Sequence, residues 1–332
     1  MHCNQTYYDN AYLLYIVNIN KLYMSFGSFA TATNILCVVV VLSTKQMRQK
    51  YGAFGLLSFG DMINALAMVI AGSVRNQQIY DNSFVALPTF DCFRNPWPYF
   101  FIVGGQLPAF ILIVMASERV IAVFKPIFYR VYVTPRIRAI TNIICVVLSI
   151  LFLLVGIFFS YLLREVCANP TCTTIGSTGR IYGTFNYFLI VFLPFVALLL
   201  NITAYVGAKR RSVSTNMERE LKKVLVSLVL AALAVILSAL PNIILWGQGI
   251  FWSVPNIGYM YIGFCCNSAV DLFAFFFMKK DFRHRLLSII SCGYLNRYFN
   301  LLKVTETKVR RNMVQSVSAK PPARSLAVKA LR

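Results

Sequence analysis

Residues Ile140–Leu163 read ITNIICVVLSILFLLVGIFFSYLL, an apolar run without one Asp, Glu, Lys, Arg or His. Crossing the hydrocarbon layer of a bilayer takes about 20 such residues in a helix, because the layer is about 30 Å thick. Within lipid every backbone N–H and C=O must be satisfied inside the segment, which a helix does by itself. Arg136 and Arg138 precede the run and Arg164 follows it, so the chain meets water on both sides. The stretch predicts a transmembrane helix.

Six further blocks share this character: Leu22–Leu42, Ala53–Ala71, Trp97–Phe124, Tyr182–Ala208, Val224–Trp246 and Ile257–Met278. They are too long for barrel strands and lack the alternation of one. Pro96 and Pro98 blur the start of the third block. The expected fold is an all-α membrane protein, a seven-transmembrane helix bundle spanning 22–278. An N-terminal tail over 1–21, a short amphipathic membrane-surface helix over 279–292 and a basic tail over 293–332 complete the organisation. The polar first residues do not resemble a cleaved signal peptide, so the first span is expected to serve as an uncleaved one.

Orientation follows from the basic residues, which gather on the cytoplasmic side. If the N-terminus is outside, the outer segments hold Lys21, Arg75, Arg94, Arg164 and Arg180, and the other 27 of the 32 Lys and Arg fall inside. The formal net charge of +21 is then a collar against anionic headgroups rather than a groove for nucleic acid. Asn4-Gln5-Thr6 forms a glycan acceptor sequence on the outer side, whereas Asn201-Ile202-Thr203 lies inside the fifth block. With two His and no paired Cys motif, a zinc site is not expected, and no catalytic constellation is visible.

Polar residues at membrane depth are costly and therefore informative. Asp61 lies midway along the second block, where a carboxylate costs about 2.5–3.5 kcal/mol on insertion scales. It must face the bundle interior, and Asn267, Ser268 and Asp271 of the seventh block are its expected partners. Glu118-Arg119-Val120 ends the third block. By itself Arg119 could be an interfacial cation reaching for headgroups.

These residues fall in the order of a known pattern. Glu118-Arg119-Val120 and the loop after it resemble the Asp/Glu-Arg-Tyr motif of rhodopsin-like (class A) G-protein-coupled receptors. Asn34 stands where that family has its first-span Asn, and Leu57–Asp61 matches the Leu-x-x-x-Asp of the second span. Pro194 and Pro241 match the prolines of the fifth and sixth spans. Asn267-Ser268-x-x-Asp271 followed by Phe275 is similar to the Asn-Pro-x-x-Tyr region, and Lys279–Arg283 to the start of the short helix after it. The resemblance covers about 22–292.

The resemblance implies a receptor that binds an external small-molecule cue or peptide and activates a heterotrimeric G protein, with arrestin as a further partner. It implies that Glu118 and Arg119 act as a switch, Asn34, Asp61, Asn267, Ser268 and Asp271 as a buried polar network, and Pro194 and Pro241 as bends. It implies a disulfide from Cys92 to the loop after the fourth span, where Cys167 and Cys172 are both open, with Cys3 taking the remaining partner. Phe101, Gly105, Gln106 and Trp246 are the expected pocket residues. Cys292, after the surface helix, suits palmitoylation.

The chain also departs from the pattern. Val120 replaces an aromatic residue, Leu272 a proline and Phe275 a tyrosine; Ala239 replaces a tryptophan, and the fourth block has none. Pro108 stands where the family offers a hydroxyl to a sodium ion, which argues against that ion beside Asp61. These departures resemble nematode serpentine chemoreceptors of class SX. The alternative function is a polytopic transporter or ligand-gated channel, which would want a continuous polar path or inverted repeats.

Overall fold

The structure is a computed structural model that describes residues 3, 8–210, 215–247 and 257–291. The chain divides into two units, Met1–Lys280 and Asp281–Arg332. Within the first, seven helices are long and apolar enough to cross a membrane. They are α1 (Asn10–Leu42), α2 (Lys45–Tyr80), α3 (Trp97–Phe124), α5 (Pro135–Leu162), α6 (Thr174–Arg210), a sixth span, and α9 (Met260–Met278). The sixth span joins α7 (Thr215–Ala234) to α8 (Leu240–Gly247) through a π-helical turn at Val235–Ala239. A short α4 (Pro126–Tyr132) links α3 to α5, and α10 (Lys280–Ile290) follows α9.

Local chemistry sets several boundaries. Thr44 and Thr134 cap α2 and α5, accepting hydrogen bonds from the backbone N–H of Met47 and Ile137. Pro126 and Pro135 occupy first-turn positions, where a missing N–H costs nothing. The same reasoning explains α3: its first turn tolerates Pro98, so the prolines mark the helix start at Trp97.

Helix α1 begins at Asn10, twelve residues before the apolar block that signals it. Asn18, Asn20 and Lys21 lie in this extension, yet Val17, Ile19 and Asn20 are buried against the bundle. A helix packed on protein along one face need not be apolar all round. Helix α6 likewise starts early, at Thr174, and turns at Gly179, whose φ of 78° is one that L side chains rarely adopt.

Helix α3 runs through the middle of the bundle, touching α2, α5, α6 and α7. Helix α5 lies at the edge. It packs through small residues, Cys145, Ser149, Gly156 and Ser160, and turns Ile143, Val147, Leu151, Leu154 and Phe158 outward. Small residues at the interface and large apolar ones outside are the arrangement lipid favours, since lipid gives no hydrophobic reward for burying the latter. The chain is a multi-pass membrane protein.

A two-stranded ribbon, β1 (Leu87–Pro88) with β2 (Cys167–Ala168), covers one end of the bundle. It is antiparallel, pairing Leu87 with Ala168 and Pro88 with Cys167. Two disulfides hold this end, Cys92–Cys172 and Cys3–Cys167. The pairing left open by the sequence is thus decided: Cys172 is the partner of Cys92, and Cys3 takes Cys167.

Candidate functional site

A cavity of about 770 Å³ lies among α1, α2, α3, α6, α8 and α9, near the disulfide-bonded end. That is within the size range of sites for small molecules. Its apolar wall is one buried cluster, in which Ile19, Tyr23, Met68, Leu245 and Phe264 pack with Phe101 and Tyr261. The polar lining is mostly hydroxyl and amide. Tyr23 donates to the Gly258 carbonyl at 2.7 Å, the Gly258 N–H donates to Tyr15 at 3.0 Å, and Tyr187 and Tyr261 are hydrogen-bonded to each other.

Of the four expected pocket residues, Phe101 and Gly105 line this cavity. Gln106 does not. It is fully buried between helices, donating to Asn186 at 2.6 Å and to Tyr182 at 3.3 Å, and of these Asn186 reaches the cavity. Trp246 is 39% exposed and lies off the cavity, which its neighbour Leu245 lines instead. One residue along a helix turns the side chain by about 100°, so placing a residue at the right depth does not place it on the right face.

Arg75 is the lining residue that sequence reasoning passed over, counting it only as a cation of an outer segment. It is buried near the end of α2, donating through Nη2 to the Thr171 carbonyl, with its guanidinium 5.5 Å from the centre of the Trp97 ring. Trp97 in turn donates to the Cys172 carbonyl at 3.2 Å, which ties this corner to the disulfide loop. A signal for its burial was present. Asp61, Met68 and Arg75 follow one another at seven-residue steps, which keeps them on one face of α2, and all three are buried.

Deeper in the bundle lies the polar group expected around Asp61. Asn34 donates to the carbonyls of Ala30 at 2.9 Å and Ser268 at 2.8 Å, joining α1 to α9. Ser268 donates to Asp61 Oδ1 at 3.4 Å, and the carboxyl groups of Asp61 and Asp271 meet in hydrogen-bonding contact. Asn267, also expected here, is half-buried and makes no side-chain hydrogen bond among the described residues.

Beside this group α2 and α3 touch at a glycine. A Cβ on Gly60 would lie 2.8 Å from Cδ of Pro108, closer than two carbons allow. The proline ring therefore sits against the helix turn that carries Asp61, and it brings no oxygen. The residues present do not reproduce an α3 ligand for a sodium ion. Phe275 stacks on Phe54 and meets Tyr51 edge-on, burying a ring where a hydroxyl was the alternative.

The two expected bends differ in form. Pro194 is buried within α6. Pro241 lies two residues past the π-turn of the sixth span, a wide turn of the kind that accommodates a missing N–H. Asn242 Nδ2 donates there to the Ser238 carbonyl at 3.0 Å.

At the far end of α3, Glu118 and Arg119 do not pair with each other. Glu118 Oε2 lies 3.4 Å from Nε of Arg138, in the first turns of α5. Arg138 also donates from Nη2 to the Tyr129 hydroxyl of α4 at 2.5 Å. Arg119 has no ion-pair partner among the described residues, and its Nε is buried without a hydrogen bond. Successive residues on a helix diverge by about 100°, so Glu118 turns to α5 while Arg119 stays with the bundle. Asn4 and Cys292, expected to carry a glycan and a palmitoyl group, lie outside the described residues.

Among curated proteins none matches the chain significantly. The family model of the seven-transmembrane receptor (rhodopsin family) matches residues 33–278, which hold the polar core and the cavity's helices other than the part of α1 before residue 33. That family consists of receptors, not enzymes. The chain belongs to the seven-transmembrane receptors of the rhodopsin family.

Proposed function

We propose that the protein is a plasma-membrane receptor that takes an external small-molecule cue or peptide in the cavity and activates a heterotrimeric G protein at the opposite end. The N-terminus is outside and the C-terminus inside, as the placement of 27 of its 32 basic residues favours. The observation that carries the reading is the vertical order of three features along α2, α3 and α9. The cavity comes first, the Asn34–Asp61–Ser268–Asp271 group lies below it, and Arg119 comes last, free of any ion pair among the described residues.

A ligand shifts a helix bundle only by binding its two packings unequally. The cavity is walled by α1, α2 and α9, which the polar group also joins. Ligand contact is therefore coupled to Asp61 without a change of partner helices. At the inner end the Arg119 guanidinium, without an ion pair among the described residues, is available to a protein that enters when the sixth span moves about its π-turn and Pro241. Arrestin binds the same end. The departures at Val120, Leu272 and Phe275 support a divergent chemoreceptor, of the nematode serpentine type.

Arg119→Ala tests this reading. With a tag before Asn4, the variant should stain intact cells at wild-type level while losing most second-messenger output. A tag after Arg332 should stain only permeabilised cells. Full output from Arg119→Ala, or reversed staining, overturns the reading.

A further inference from the structure

Among the described residues on the wall of the cavity one side chain is charged, and it is a buried cation. Among the residues that line it, Arg75 is the sole Asp, Glu, Lys, Arg or His; the polar remainder is hydroxyl and amide, such as Tyr12, Asn20, Asn169 and Thr173. Arg75 is only 6% exposed. A buried charge is tolerated when it is paired, and a guanidinium has five N–H groups to satisfy. Here the pairing is incomplete. Nη2 is bonded to the Thr171 carbonyl and the Trp97 ring lies beside the guanidinium, but Nε is buried and has no hydrogen-bond partner among the described residues.

Neither a carbonyl nor an aromatic ring carries a countercharge. No Asp or Glu forms an ion pair with Arg75 among the described residues. The outermost residues that the structure does not describe, 1–2, 4–7 and 248–256, contain no Asp or Glu in the sequence. The acids that the structure does describe on this side, Asp9, Asp81, Asp91 and Glu165, form no ion pair with Arg75. A guanidinium presents its N–H groups as a planar fork, which matches a carboxylate in shape and charge.

We infer that the cavity binds a ligand bearing a carboxylate, anchored by Arg75, with an aliphatic or aromatic body against Met68, Phe101, Leu245 and Phe264. The inference rests on the reading of this cavity as the ligand site. It adds the ligand's chemical class. A neutral ligand would leave the guanidinium without a countercharge, and a cationic one would be repelled by it.

The test uses the full-length chain in lipid nanodiscs and reads thermal unfolding and binding. The probes are three acids, hexanoate, 3-phenylpropanoate and N-acetylphenylalanine, each beside its uncharged amide. At least one acid should raise the melting temperature while its amide does not. R75Q should weaken that acid about tenfold or more, the order expected for a hydrogen bond to a charged group. R75K, which keeps the charge and loses the fork, should retain part of the affinity. No shift from any acid, equal shifts from acid and amide, or acid binding that survives R75Q each overturns the proposal. If R75Q fails to fold, the wild-type comparison of acid with amide decides the matter alone. Binding is read without G protein, so failure of the signalling role of Arg119 would leave this result standing. A shift from the amides alone would keep the ligand site and discard the anionic ligand.

Discussion

Glu118 is held by Arg138 across 3.4 Å, and not by Arg119, its neighbour in the chain. The pair ties the last turns of α3 to the first turns of α5, and Arg138 adds a bond to Tyr129 of α4. Glu118 therefore fixes the position of a helix end, while Arg119 is left without a countercharge among the described residues.

Breaking that tie should loosen α3 without removing the cation. Both partners are partly exposed, so the pair contributes about 0.2–1 kcal/mol. By RT that is a change of up to about fivefold in the balance of two packings. Glu118→Gln and Arg138→Ala should each raise basal second-messenger output within that range, and the double variant should do no more than either. Additive effects would mean that the two side chains act separately.

The disulfides make a sharper prediction. Cys92–Cys172 secures the segment under Arg75 and Trp97, whereas Cys3–Cys167 attaches the N-terminal segment to the ribbon. Cys92→Ser, Cys172→Ser and the double variant should share one defect, a loss of about 2–5 kcal/mol with reduced surface staining. Cys3→Ser should match Cys167→Ser and retain the cavity. A Cys167→Ser defect that equals Cys92→Ser would point to the alternative pairing.

Asn34 bonds the Ser268 carbonyl from inside the bundle, where water cannot replace it. Asn34→Ala leaves that acceptor with one partner fewer, at a cost of about 1–3 kcal/mol. Thermal unfolding in nanodiscs should show it as a lower midpoint. Asp61→Asn keeps the shape beside Asp271 and Ser268, so it should change ligand sensitivity or basal output more than it lowers the midpoint. A large loss of stability in Asp61→Asn with unchanged sensitivity would make Asp61 a purely structural group.

Gly60 and Pro108 give a steric test at the same level. Gly60→Ala adds a carbon 2.8 Å from the proline ring, which forces α2 and α3 apart or displaces the ring. Overpacking of this kind costs about 1–3 kcal/mol. The companion change Pro108→Ala removes the ring and should recover part of that loss when combined with Gly60→Ala. No rescue in the double variant would place the strain elsewhere.

The spans were legible because insertion into lipid depends on composition over about 20 residues, a property of the run itself. Trp97–Phe124 was read to the residue, and the meeting of Asp61 with Ser268 and Asp271 could be anticipated because polar atoms at membrane depth must find one another, whereas Asn34 came only with the family resemblance. Where packing on protein replaced packing on lipid, the run misled. Helix α1 extends back to Asn10 over a polar stretch in which Val17, Ile19 and Asn20 face the bundle.

What the amino-acid sequence determined, then, is how many times the chain crosses and which polar residues lie within the crossings. The fold decided which of them meet. That Cys92 joins Cys172, that Glu118 turns to Arg138, that Gln106 bonds Asn186 while Leu245 replaces Trp246 at the cavity, and that Arg75 is buried with no acid paired to it among the described residues all depend on helix rotation and on distances between segments far apart in sequence. Hydropathy is a sum along the chain and holds no information about rotation. A contact needs two helices to present the right faces at the same height, and only tertiary packing sets both.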